Sequence, residues 1–379
     1  MSDVATTATR SAYVHVPFCA HRCGYCDFSV VAGRGDLVGD YLRAIEREMA
    51  GQGPPSEVDT LYFGGGTPSQ LPPEAFAKLC DLALAWRPPA DGYEWTVEAN
   101  PADVTPEWIE LLASRGVTRL SLGSQSFDSA KLATLERDHT ADDIGRVVGW
   151  AKQAGIDVCL DLIFAVPGET LDTWQRDLKQ AVALNPSHIS TYGLTFERGT
   201  SFWSRRLRGN LTEADESLQR EMYLAAIDTV TAAGYEHYEV SNFARPGHRS
   251  RHNQAYWSGD GYFAVGPGAT RFVDGVRETN HRSTTTYLKR MLAGESPVAE
   301  REQLSAEERA REVLVFALRK IEGIEIAGFE AQTGFDLNDL AGETLDRFCR
   351  QSLLVQADGR LRLTREGLLV SDALWPDLL

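Results

Sequence analysis

Three of the chain's six cysteines fall close together in the segment YVHVPFCAHRCGYCDF, at positions 19, 23 and 26. That spacing puts Cys19, Cys23 and Cys26 on one tight loop, from which three thiolates can converge on one metal centre. A structural zinc site is usually closed by four protein ligands. No fourth cysteine lies nearby, although His15 and His21 are near enough in the chain to complete a mixed site. An iron–sulfur cubane with one iron left open fits three local thiolates equally well, and the spacing favours it over zinc. Asp27 follows the last cysteine directly. Cys80 and Cys159 sit among apolar neighbours and read as small buried hydrophobes, and Cys349 lies beside Phe348 in a helical stripe. Cysteines so distributed imply no disulfide framework.

A second group of versatile side chains lies at residues 245–257, RPGHRSRHNQAYW, which carry Arg245, Arg249, Arg251, His248 and His252 and no acid. Donors beside Tyr256 and Trp257 suit a flat anionic ligand, whose carboxylates meet guanidinium forks while rings cover its apolar face. Porphyrin propionates answer that description. The same residues also fit a solvated loop whose rings stack on the core.

Both groups need a scaffold, and the hydrophobic pattern supplies one. Short apolar runs predict strands at Ala12–Pro17, Thr60–Phe63, Glu94–Glu98, Arg119–Leu122, Val158–Phe164 and Ile189–Thr195. Amphipathic runs between them predict helices at Val38–Met49, Pro73–Trp86, Pro106–Ser114, Ala141–Ala154 and Leu171–Leu184. Thr105 before Pro106 is a helix start signal, and Gly116 and Gly155 stand where helices should stop. Strands alternating with helical crossovers imply an α/β fold with a parallel sheet; periodicity alone does not decide between an open sheet and a partial barrel. GGGTPS follows the second strand, EANP the third and SQSF the fourth, while Asp161 lies in the fifth. Polar and glycine residues at the C-terminal ends of parallel strands are where an active site is expected.

Beyond residue 200 the pattern predicts a helix over Leu218–Ala233 and a strand over Tyr235–Val240, and residues 242–282 read as irregular. Helices follow at Ala306–Arg319, Ile326–Thr333 and Ala341–Ser352, then a hairpin over Leu353–Thr364 and a last helix over Arg365–Leu374. The expected division is a core over 1–240, a basic and aromatic connecting segment over 241–300, and a small winged-helix-like domain over 301–379. With 54 acidic and 38 basic residues the net charge is -16, which argues against a nucleic-acid-binding surface. The sequence shows no run of apolar residues long enough to span a membrane and no secretory signal, so a cytoplasmic location is expected.

YVHVPFCAHRCGYCDF, with Tyr25 before the last cysteine, resembles the cluster motif of the radical S-adenosylmethionine (radical SAM) superfamily. Together with GGGTPS, VEANP, SLGSQSF, LDLIFAVPGET and HNQAYW, it resembles the oxygen-independent coproporphyrinogen oxidase-like group, in particular its heme-chaperone branch. The resemblance implies a partial (β/α)6 TIM-like barrel followed by a smaller, mostly helical domain. It implies a [4Fe-4S] cluster on Cys19, Cys23 and Cys26, and a SAM pocket from Tyr13, Gly65, Gly66, Thr67, Glu98, Gln125, Arg137, Asp161 and, less directly, Thr195. It implies heme as a bound ligand, with His252 as the axial ligand and Asn253, Tyr256, Trp257, Arg249 and Arg251 around it. It further implies transfer of heme to an acceptor, such as a membrane-bound respiratory protein, and dimerisation as a family-level expectation. The alternative is decarboxylation of coproporphyrinogen III propionates to vinyl groups, or another tetrapyrrole modification. Two departures speak against decarboxylation: only ten or so residues, expected to be unstructured, precede the first strand, and Asp27 and Phe28 stand where the catalytic branch commonly has a further cysteine.

Overall fold

The computed structural model describes residues 9–379, so the expectation for the residues before the first strand falls mostly outside the described part. Six parallel strands form the centre of one sheet: β1 (Ser11–Val16), β2 (Val58–Gly65), β3 (Pro89–Ala99), β4 (Arg119–Gln125), β5 (Asp157–Phe164) and β6 (His188–Gly193). The crossovers carry α1 (Val38–Gly51), α2 (Pro73–Trp86), α3 (Pro106–Arg115), α4 (Ser129–Thr134), α5 (Ala141–Gln153) and α6 (Leu171–Ala183). Local signals set their ends. The Thr105 hydroxyl accepts the Trp108 N–H at 3.2 Å, and Thr140 with Asp143 forms a capping box at the start of α5. Gly116 closes α3 at φ +84°.

Side-chain alternation along the strands decides what the sheet can hold. Trp95, Val97, Leu120, Leu122, Val158, Leu160 and Leu162 are buried in the main apolar core. The alternate residues, among them Thr96, Glu98, Ser121, Asp161 and Ser190, line a cavity. A closed barrel packs its interior with bulky branched side chains. Here the inward positions are small or polar, and the partial barrel keeps an open interior. A one-residue slip in register would exchange the two sets, so the apolar set fixes the polar one.

After α7 (Ser201–Leu207) and α8 (Glu216–Ala232), the sheet continues on both flanks. β7 (Glu236–Glu239) and β8 (Asn242–Ala244) extend it antiparallel beyond β6. Residues 241–300 are not irregular, contrary to the sequence expectation. They form α9 (Arg251–Trp257), then β9 (Tyr262–Val265), β10 (Thr270–Val273) and β11 (Val276–Asn280), then α10 (Thr284–Leu292) and β12 (Val298–Glu302). β9 pairs parallel with β1, giving a twelve-stranded order of β12-β11-β10-β9-β1-β2-β3-β4-β5-β6-β8-β7. Strands this short carry too few alternations to be read locally, and β9, which joins the later strands to the sheet, pairs with β1 from the far end of the chain.

The tail has its own apolar cluster, running from Ala310 to Leu378. It contains α11 (Ala306–Leu318), α12 (Ile326–Thr333), α13 (Leu337–Arg350) and a hairpin of Leu354–Ala357 with Arg360–Leu363. The last expected helix is divided in two at Val370. No helix among the described residues is long and apolar enough to cross a membrane.

Candidate functional site

The cysteine loop leaves the C-terminal end of β1 and is closed by a two-residue parallel pairing of Phe18–Cys19 with Val31–Ala32. Val31 N–H donates to Pro17 O at 2.8 Å, Gly33 N–H to Cys19 O at 3.1 Å and Cys26 N–H to Cys23 O at 3.0 Å. Position 24 is crowded, since a Cβ there would stand 2.6 Å from the Phe202 ring and the ring would have to move. Tyr25 packs edge-on against the same ring. Cys19, Cys23 and Cys26 are all partly exposed and line one cavity of about 440 Å³. The Thr67 hydroxyl donates to Cys19 Sγ at 3.4 Å, and Arg137 Nη1 approaches Cys23 Sγ at 3.7 Å. Burial pushes the Cys19 thiol up to about 11 and raises Cys26 as well, so a coordinated metal ion is what would hold these sulfurs as thiolates at neutral pH.

The GGGTPS loop lies against the cysteine loop. Gly66 N–H donates to Val16 O at 2.9 Å and Thr67 N–H to Phe18 O at 2.7 Å. A Cβ on Gly66 would meet Val16 O at 2.5 Å, and Gly65 has φ +96°. Only glycine permits both the conformation and the approach. Gly65 N–H donates to Glu98 Oε2 at 2.9 Å, and the Tyr62 hydroxyl donates to Glu98 Oε1 at 2.7 Å. Burial pushes the Glu98 carboxyl up to about 7. Asp161 is also raised by burial and accepts the Ser121 hydroxyl at 2.8 Å. Arg137 Nη2 donates to Asn100 Oδ1 at 2.7 Å and to Gly123 O at 3.0 Å.

The loop carrying Gln125, itself at φ +58°, is fixed from below by a buried charge cluster. Asp177 accepts the Phe127 N–H at 2.8 Å and the Ser126 hydroxyl at 2.7 Å, and Lys131 Nζ reaches both Asp177 at 2.9 Å and Glu169 at 2.5 Å.

Of the nine expected SAM-pocket residues, Gly65, Gly66, Thr67, Glu98, Gln125, Arg137, Asp161 and Thr195 line the cavity together with the three cysteines. Tyr13 does not line it. Its hydroxyl shares a hydrogen bond with His15 Nδ1 at 3.1 Å and lies behind Gly65, 2.7 Å from where a Cβ would be. Sequence reasoning missed Asn100 and Tyr62; the EANP segment held the signal for the first, and nothing local marked the second. Cys159 is buried as expected but is not among apolar partners. Its Sγ lies 2.9 Å from His188 Nδ1 and 3.3 Å from Asp161 Oδ1, because its apolar chain neighbours Val158 and Leu160 face the opposite side of β5.

The expected heme residues are not gathered on one surface. His252 is 2 % exposed, with Nδ1 2.8 Å from Thr60 Oγ1 and Nε2 2.8 Å from the Tyr256 hydroxyl, so neither ring nitrogen is open to a metal here. Arg249 is engaged by Glu236 and Glu322, and Arg251 by Gly92 O and, through its N–H, Glu94. Asn253 lines the main cavity. Tyr256 and Trp257 line a second cavity of about 220 Å³ with Arg277, Arg309 and Phe272. That volume is below the roughly 300–1,000 Å³ of a pocket that encloses a drug-sized ligand.

Soft sulfur donors, glycine-lined backbone, two carboxylates and a guanidinium around one cavity suit an open-iron cluster with a zwitterionic amino-acid ligand. This fold and site define a radical SAM protein. The family model described as "Radical SAM superfamily" matches residues 13–181, and that of the "HemN C-terminal domain" matches residues 304–370. A Bacillus subtilis protein named heme chaperone HemW is 33% identical, covering 96% of this chain and 97% of its own length. A Mycobacterium tuberculosis protein of the same name is 36% identical, covering 97% of this chain and 94% of its own. Among solved structures, coproporphyrinogen III oxidase (HemN) from Escherichia coli shares the fold with a TM-score of 0.85 at 20% identity, covering 99% of this chain and 91% of that one. The chain belongs to the HemW family of radical SAM proteins.

Proposed function

We propose that the protein binds heme and passes it to an acceptor protein, and that it carries a [4Fe-4S] cluster on Cys19, Cys23 and Cys26 with SAM at the open iron. The observation that supports the cofactor reading most strongly is the meeting of three partly exposed thiols and the glycine loop at one cavity. Bound, and reduced by an external one-electron donor, the cluster would supply one electron to the sulfonium of SAM. The chain's own residues orient that cofactor. Backbone groups of Gly65 and Gly66 would approach the methionyl end, Glu98 would offer an acceptor to its ammonium, and Arg137, held by Asn100, would meet its carboxylate. Asp161 and Gln125 are left for the ribose and base. The heme reading rests on family membership, since all the relatives reported above at more than 30% identity carry the name heme chaperone.

Two measurements test the reading. Anaerobically reconstituted protein is expected to bind SAM in a calorimetric titration and to deliver heme to an apo-acceptor, followed by absorbance. The same preparation incubated with coproporphyrinogen III, SAM and a reductant is expected to yield no vinyl product by mass spectrometry. Doubly decarboxylated product over many turnovers would overturn the chaperone reading in favour of the oxidase.

A further inference from the structure

The HNQAYW helix, α9, does not stand on the surface as a ligand-bearing segment. Its N-terminus is held under the sheet by Glu94 of β3, whose two carboxylate oxygens accept the Arg251 N–H at 3.2 Å and the His252 N–H at 3.1 Å. Glu94 is in turn ion-paired with Arg119 of β4 at 3.4 Å, both side chains being buried. Beneath β2, the His252 ring stacks on Tyr62 with centroids 5.0 Å apart while its two nitrogens engage Thr60 and Tyr256. Tyr62 continues the chain of contacts to Glu98, and Glu98 to the Gly65 N–H. Ser250, which caps the helix, and Asn253 open onto the same cavity as the three cysteines. A continuous path of contacts therefore leads from the helix through one aromatic ring and one carboxylate to the glycine loop.

We propose that α9 is a positioning element of the SAM pocket, with His252 fixing the Tyr62 ring and, through the Tyr62 hydroxyl, the Glu98 carboxylate and the Gly65 N–H. The inference rests on the reading that this cavity binds SAM. His252 is then a positioning residue, and heme is bound without it as an axial ligand. Burial lowers the imidazole to about 3, so the ring is a neutral hydrogen-bonding spacer at physiological pH. The groups facing Glu98 are Tyr62, Tyr13 and Asp161; burial keeps both phenols protonated, raises Asp161, and leaves the Tyr62 hydroxyl as a bond that favours ionised Glu98.

The test compares SAM affinity, by calorimetry across pH, and heme affinity, by absorbance, for the reconstituted wild type and two variants that keep an aromatic ring in place. His252→Phe removes both hydrogen bonds of the imidazole, and Tyr62→Phe removes only the hydroxyl on Glu98. Each is expected to weaken SAM binding about tenfold, the scale of leaving a buried polar partner unpaired, with heme affinity and the heme spectrum unchanged. In Tyr62→Phe the pH at which SAM binding develops should also move upward, because loss of the donated bond raises Glu98 further. A merely structural defect would lower affinity without moving that profile. Unchanged SAM affinity in both variants would overturn the inference, as would loss of the heme spectrum in His252→Phe at wild-type SAM affinity. Failure of the wild type itself to bind SAM would overturn the cofactor reading, and the inference with it. Should His252→Phe not fold, Tyr62→Phe decides alone by the same affinity and pH criteria.

Discussion

The cysteine loop and the HNQAYW helix are both short and crowded with side chains able to bind a metal, yet the structure uses them in opposite ways. The loop is braced by backbone bonds and by glycines that admit close neighbours, which leaves its three sulfurs facing a cavity. The helix is braced by its side chains, and the imidazole of His252 has no free nitrogen. Where main chain carries the structural role, side chains remain available for chemistry.

The largest effects should come from breaking the scaffold under the open site. Lys131→Met would leave Glu169 and Asp177 as buried, uncompensated carboxylates, with an expected loss of about 3–5 kcal/mol in stability measured by denaturant unfolding. Gly66→Ala would push a methyl group into Val16 O and Phe18 O; overpacking of this kind costs about 1–3 kcal/mol, and calorimetry should show SAM binding lost with it. Cys23→Ala should change unfolding by under about 1 kcal/mol, since Cys23 is partly exposed, while abolishing the iron–sulfur absorbance after reconstitution. A loss of stability as large as that of Lys131→Met would mean that the loop sulfurs are structural after all.

A further effect sharpens the comparison through pH. Glu98 ionises at about 7 in the folded chain against the usual 4.5, so between those values the folded state binds more protons than the unfolded one. Its contribution to stability is therefore present below pH 4.5 and is lost as pH rises through 7. Glu98→Gln should flatten that part of the pH dependence of Tm and weaken SAM binding at the same time. A variant that lost SAM affinity with an unaltered Tm–pH curve would place the raised carboxyl elsewhere, with Glu239, also pushed up to about 7 by burial, as the next residue to change.

Much of this was legible in advance because it is written locally. The six central strands, five of their crossover helices, the cap at Thr105 and the stop at Gly116 depend on nearby residues, and the loops after β2, β3 and β4 carried unusual composition, whereas the short α4 went unread. The cysteine spacing is local too. What stayed hidden depends on partners far along the chain: β9 exists by pairing with β1, and the first two N–H groups of α9 donate to Glu94, more than 150 residues before it. His252 could be read as a free imidazole because the Thr60 and Tyr62 that engage it lie on β2, about 190 residues earlier in the chain. Cys159 is buried as expected, but its polar partners stayed hidden for the same reason, since its apolar chain neighbours are on the other face of the sheet.

The short pairing of Phe18–Cys19 with Val31–Ala32 has a consequence for assembly. Small zinc domains are folded by their metal, because the ligands have no other cause to meet. Here protein–protein bonds already close the loop, pin it to the glycine turn and seat Tyr25 against Phe202. A cluster of the proposed kind would then load onto a loop already closed by its own hydrogen bonds, and reconstitution of the folded chain is expected to restore iron–sulfur absorbance without a cycle of unfolding.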